Sequence, residues 1–159
     1  MNEAPRLLLD GMLGRLAKWL RLLGYDAAYD NAATDLELAH RARSEHLVLL
    51  TRDHELAARR GLHTLLIASD DLEEQLAQVQ TQLGPPADPA LSRCPVCNVP
   101  LCPAPPDAVA DRVPPYVLRT HPTFDVCPRC NRVYWEGTHV EHMRDRIDME
   151  DKDGPESNT

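Results

Sequence analysis

Strands and helices alternate through the first half of the 159-residue chain, and two copies of Cys-Pro-x-Cys-Asn stand in the second half. Together they predict an α/β fold, a mainly parallel sheet flanked by helices, followed by a small four-cysteine zinc ribbon. The Pro-rich break Gly84-Pro-Pro-Ala-Asp-Pro89 divides the two patterns. The expected organisation is an α/β domain over 1–84, a linker over 85–91, the ribbon over 92–144 and an acidic flexible tail over 145–159.

Arg6-Leu-Leu-Leu-Asp10 reads as a short buried strand ending at a carboxylate. Leu13, Leu16, Ala17, Leu20 and Leu23 recur at helical spacing, and Gly24 is the stop. Ala27-Ala-Tyr29 is a weaker strand, and Thr34 is the N-cap expected for a helix over Asp35 to Ser44. Leu47 to Leu50 is a buried strand closed by Thr51-Arg-Asp53, ahead of a short helix reaching Arg60. Leu62 to Ile67 gives another strand, and Asp71 to Leu83 a helix with acidic residues in its first turn. Beyond the break, Pro103, Pro105, Pro106, Pro114 and Pro115 exclude a long helix between the cysteine pairs.

Cys94, Cys97, Cys127 and Cys130 have the spacing of a tetrahedral Zn²⁺ site, since a two-residue spacer lets both sulfurs of one tight turn reach the same ion. Such a site has no open coordination position, so its role is structural. Cys102 reads as a free thiol, with exchange for Cys97 as the alternative ligand. Five cysteines used in this way fit a reducing compartment, and no segment approaches the roughly 20 apolar residues of a membrane span. The expectation is a soluble, cytoplasmic protein. The net charge of −8 argues against coating nucleic acid by bulk electrostatics, although Arg15, Lys18, Arg21 and Arg52 lie near candidate acidic positions and Arg129, Arg132 and Arg144 punctuate the ribbon.

In open α/β sheets, ligands bind outside the carboxyl ends of the strands. Asp10 and Asp53 follow two apolar strands and fall on that edge. Asp35 shares a helical stripe with Leu38, Ala39 and Ala42, so its side chain is expected to face the sheet. Three converging carboxylates call for a hard cation, Mg²⁺ or Mn²⁺, and such a site suits in-line attack of water on a phosphodiester. Thr51 can orient water or phosphate, and Arg15, Lys18 and Arg52 can hold a substrate backbone. Asp30 is a weaker candidate. Plainer readings stand beside these: Asp10 and Asp53 also fit N-caps, and Asp35 fits a first-turn aspartate.

The run Asp10-Gly-Met-Leu-Gly-Arg-Leu-Ala-Lys-Trp-Leu-Arg-Leu-Leu-Gly-Tyr-Asp26, with Leu50-Thr-Arg-Asp53, Arg93-Cys-Pro-Val-Cys-Asn98 and Cys127-Pro-Arg-Cys-Asn-Arg-Val-Tyr-Trp-Glu-Gly-Thr-His139, resembles the Mut-seven C-terminal ribonuclease domain family over about residues 7 to 144. That resemblance implies a PIN-like nuclease fold joined to a zinc ribbon and metal-dependent cleavage of RNA, with Asp10, Asp35 and Asp53 at acidic positions of the site. PIN nucleases generally carry a fourth acidic position, for which Asp30 is the nearest substitute. The ribosome or tRNA is a further expected partner, with Arg129, Arg132 and His139 as RNA-binding candidates. Tyr134, Trp135 and Gly137 admit either base contact or packing of the ribbon core, packing being favoured. The competing function is a non-catalytic RNA- or ribosome-binding adaptor on the same fold. A phosphoacceptor module is disfavoured because no later strand ends in lysine.

Overall fold

A computed structural model of the protein describes residues 4–135. Strands β1 (Leu7–Leu9), β2 (Ala27–Tyr29), β3 (Val48–Thr51) and β4 (Thr64–Leu66) form one parallel sheet in the order β2-β1-β3-β4. Helices α1 (Gly14–Leu23), α2 (Asp35–Ser44) and α3 (His54–Ala57) connect successive strands, and α4 (Leu72–Leu83) follows β4. The chain steps from β1 to β2 on one side and then crosses back to β3 on the other. Right-handed crossovers therefore assign α1 to one face and α2 and α3 to the other. Packing agrees: α1 lies against α4, whereas Leu38 and Ala42 of α2 and Leu56 of α3 share a core with Leu8 and Leu49. Strands covered on both faces read as unbroken apolar runs, which is why Leu7, Leu8, Leu9, Leu49 and Leu50 are all fully buried.

Local chemistry fixes the helix ends. Thr34 and Glu37 form a reciprocal capping box at α2, and Asp71 accepts from Glu74 N at the start of α4. α1 ends at Gly24, whose φ of 108° is left-handed and whose added Cβ would stand 2.0 Å from the carbonyl oxygen of Asp88. The Pro-rich stretch is accordingly held against α1. Asp88 N donates to Gly24 O at 3.3 Å, Leu91 N to Leu22 O at 2.8 Å, and the Tyr25 hydroxyl to Gly84 O at 2.5 Å. The short helix expected to reach Arg60 stops at Ala57.

Contacts divide the chain into two compact units, 1–98 and 99–159. Within the first unit, residues 88–98 bond back to α1 and β2. The second unit has an antiparallel sheet of β5 (Cys102–Ala104), β6 (Phe124–Val126) and β7 (Val133–Tyr134), with a 3-10 turn at Pro106–Ala108 and helix α5 (Pro115–Thr120) between β5 and β6. Val109, Val113, Val117 and Phe124 form its own small core. Trp135 meets Phe124 edge-on with ring centroids 6.2 Å apart, and Tyr134 is buried, so both aromatics pack in this unit. Gly137, His139, Arg144 and the acidic tail lie outside the described residues. Among the described residues no helix is long and apolar enough to cross a membrane.

Candidate active site and metal centre

Because strand order reverses between β1 and β3, the crevice of the sheet opens beyond their carboxyl ends. Asp10 is the first residue past β1, its N–H bonded to Leu50 O of β3 at 3.2 Å. Its side chain is only 6 % exposed. Oδ1 accepts from Met12 N at 3.0 Å, and Oδ2 accepts from the hydroxyl of the fully buried Thr51 at the end of β3. Thr51 Oγ1 in turn accepts from Asp53 N at 3.0 Å, so one hydroxyl ties the two aspartate segments together. Among the described residues, Asp10 has no cationic side chain paired with it.

Asp53 is half-buried and caps α3, its Oδ1 accepting from Glu55 N at 2.9 Å and Leu56 N at 3.3 Å. Asp53 is thus a helix cap at the sheet edge, whereas the cap reading of Asp10 fails: α1 has Leu13 at its N-cap without a side-chain bond, and Asp10 holds only the turn at Met12. Asp30, half-buried, follows β2 and accepts from Ala32 N at 3.0 Å. Carboxylates therefore follow three neighbouring strands. Asp35 differs from expectation. It is exposed, together with Thr34, Leu36 and Glu37, and the buried face of α2 begins one turn later at Leu38. Among the described residues, no three carboxylates bring their oxygens as close together as the cysteine sulfurs lie.

Sequence reasoning missed Tyr29, the last residue of β2. Its hydroxyl donates to Gly11 O at 2.9 Å. A Cβ on Gly14 would lie 3.0 Å from that hydroxyl, so glycine there makes room for the phenol. Burial first, and the nearby charge of Asp10 second, push the Tyr29 phenol above its ordinary value. The signal was Gly11 and Gly14 flanking Met12 and Leu13 directly after a strand-end aspartate.

Of the basic candidates, Arg15, Lys18 and Arg52 are half-buried, and Arg52 Nε is buried without a hydrogen-bond partner among the described residues. Arg21 is not part of a phosphate-binding surface. It is 7 % exposed, and its guanidinium donates to Ala27 O at 2.7 Å, Pro95 O at 2.8 Å and Val96 O at 3.2 Å. Burial lowers its pKa from the ordinary value, and charge on Cys94 and Cys97 acts the other way. Arg129 and Arg132 are exposed.

The sulfurs of Cys94, Cys97, Cys127 and Cys130 all lie within 4.8 Å of one another. A Zn–S bond of about 2.3 Å in a tetrahedron sets sulfurs roughly 3.8 Å apart, so the cluster fits the ion with little contraction. Both pairs use the same turn. Asn98 N donates to Cys94 O at 2.8 Å and Asn131 N to Cys127 O at 2.9 Å, while Cys97 N and Cys130 N each point at the preceding sulfur at 3.4 Å. Asn98 and Asn131 close these turns in the left-handed region, with φ of 64° and 67°. Cys102 is exposed and outside the cluster, so Cys97 rather than Cys102 completes the four cysteines placed to bind a metal ion.

A parallel sheet with carboxylates beyond its strand ends, accompanied by four cysteines placed to bind a metal ion, defines an α/β protein with a metal-binding module. The chain belongs to the family described as the Mut7-C RNAse domain, which it matches over residues 5–147. That description gives ribonuclease activity as the general function and RNA as the substrate. No curated protein and no solved structure matches the chain.

Proposed function

We propose that the protein is a divalent-metal-dependent ribonuclease that hydrolyses RNA phosphodiester bonds at the edge formed by Asp10 and Asp53, with Asp30 and Asp35 as its outer carboxylates. The observation that carries this reading is the carboxylate of Asp10, 6 % exposed at the switch point and without a cationic partner among the described residues. A buried carboxylate held only by two neutral donors, Met12 N and the Thr51 hydroxyl, still carries a desolvation penalty, and a bound cation offsets it. Carboxylate oxygens are the hard donors that Mg²⁺ and Mn²⁺ take, so the donor chemistry of this edge suits the ion.

A bound divalent ion supplies Lewis acidity to water and to the attacked phosphodiester. Thr51 holds Asp10 in one orientation through Oδ2, and Met12 N fixes Oδ1. Arg52, with Arg15 and Lys18, holds the phosphate backbone against the repulsion of the acidic edge. The zinc-bearing region supports RNA or ribosome engagement through exposed Arg129 and Arg132. A reducing, cytoplasmic setting suits four thiolates kept for metal.

Labelled RNA incubated with zinc-loaded protein tests the proposal. Cleavage should require added Mg²⁺ or Mn²⁺ and be lost in Asp10→Asn and Asp53→Asn; cleavage retained in both variants removes the site assignment. Exposed Asp35 and the net charge of −8 favour a second reading, an adaptor that binds RNA without cutting it. In that case parent and Asp10→Asn bind RNA equally, neither cuts, and binding weakens with salt.

A further inference from the structure

We infer that the first cysteine turn is a positioning element for the carboxylate edge, acting through Asn98 on β2 and through Tyr29 on the loop that carries Asp10. The contacts form an unbroken series within residues 10–98. Asn98 closes the Cys94–Cys97 turn in a left-handed conformation that aims its side chain at β2. Its Oδ1 accepts from Ala27 N at 3.1 Å, and its Nδ2 donates to Asp26 Oδ1 at 2.9 Å. The other polar group of Ala27, its carbonyl, accepts from Arg21, which also grips Pro95 O and Val96 O inside the same turn. Arg93 Nη1 donates to Asn98 O at 2.7 Å and Nη2 to Asp88 at 2.9 Å, so the turn is braced from behind.

β2 is an edge strand of three residues, and its open side would otherwise expose unpaired groups. The cysteine turn satisfies the Ala27 end. At the other end Tyr29 bonds Gly11 O, and Gly11 follows Asp10 directly. Gly11 has little room to move, since a Cβ there would stand 3.2 Å from Asn31 Cα. The Asp10 loop is itself held by Met12 N on Asp10 Oδ1 and Leu13 N on Asp10 O at 3.1 Å. A short extended segment pinned at both ends moves as one piece, so loss of order at Asn98 reaches Gly11 through Tyr29. The thiolate turn thus does more than hold zinc. It sets where β2 sits, and β2 sets the loop that aims Asp10.

The inference rests on the reading of Asp10 as a catalytic group, and amide hydrogen exchange tests the coupling separately from catalysis. The full chain, zinc-loaded and with zinc content measured, is compared with Asn98→Gly, which keeps the left-handed backbone, and with Tyr29→Phe. Losing one such hydrogen bond should raise exchange at Met12 and Leu13 roughly three- to tenfold in each variant. The double variant should add little to either single change, because both act along one series. Zinc stays bound in Tyr29→Phe, and its kcat falls while KM is unchanged.

Exchange at Met12 and Leu13 that stays at the parent rate in Tyr29→Phe overturns the inference, whether or not Asn98→Gly folds. So does Asn98→Gly that loosens Ala27 to Tyr29 alone. Faster exchange in both variants with kcat untouched upholds the coupling and places the failure in the catalytic reading of Asp10.

Discussion

The hydroxyl of Thr51 donates to Asp10 while accepting from the backbone of Asp53, joining the ends of β1 and β3 through one buried oxygen. A substitution at this position is therefore felt by both aspartates. Thr51→Val keeps the shape but leaves Asp10 Oδ2 and Asp53 N without this partner, and should lower unfolding free energy by about 1–3 kcal/mol. Thr51→Ser retains the hydroxyl and should stay much nearer the parent. Urea unfolding at neutral pH measures both.

Asp10→Asn separates charge from shape. The amide oxygen can still accept from Thr51 or Met12, so without divalent ion the variant should be as stable as the parent or more so, a buried charge having been removed. Mn²⁺ should raise the melting temperature of the parent and not of the variant. RNA cleavage should fall at least about a hundredfold, the scale on which a single electrostatic contributor acts.

Withdrawal of zinc should be cooperative and destabilising. Cys94→Ser or Cys127→Ser should lower zinc content below one ion per chain and unfold the metal-bound turns, whereas Cys102→Ser should bind zinc as the parent does. Elemental analysis with a chelator-release assay distinguishes them.

Gly24→Ala meets two obstacles, a left-handed φ of 108° and the Asp88 carbonyl 2.0 Å from the new Cβ. The expected loss exceeds about 1 kcal/mol, beyond the ordinary cost of a left-handed alanine, because the Asp88 segment must also shift. Thermal unfolding, with exchange at Asp88 and Leu91, reads it.

Burial pushes the Tyr25 and Tyr29 phenols above the ordinary value of 10.0, Asp10 adding to the shift at Tyr29. A folded-state value raised above the unfolded one gives stability that is present below pH 10 and is lost as pH rises through the folded values. In an absorbance titration, Tyr25→Phe and Tyr29→Phe should each remove one late-titrating phenol.

Much of the architecture was legible because its signals are local. Leu7 to Leu9 and Leu47 to Leu50 are apolar runs, Thr34 is an N-cap, Gly24 is a helix stop, and the cysteine spacing defines a thiolate turn. Asp10 and Asp53 were found the same way, as acids directly beyond such strands. The burial of Asp35 was misread because helical periodicity gives a face but not where a neighbouring element begins to cover it. Arg21 was grouped with a phosphate surface because nothing near it in sequence announces the carbonyls of Pro95 and Val96.

By itself the sequence determined the alternation of strands and helices through Leu83, which cysteines are spaced to bind metal, and which acids stand at strand ends. These follow from periodicity, capping and ligand spacing, all of which act over a few residues. Only the tertiary structure decided that Thr51 bridges Asp10 to Asp53, that Tyr29 holds Gly11, and that Asn98 and Arg21 fasten the first cysteine turn to β2. Those bonds join residues up to 75 positions apart in the chain, and such pairings are set when the whole sheet and its covering helices pack, not by any local preference.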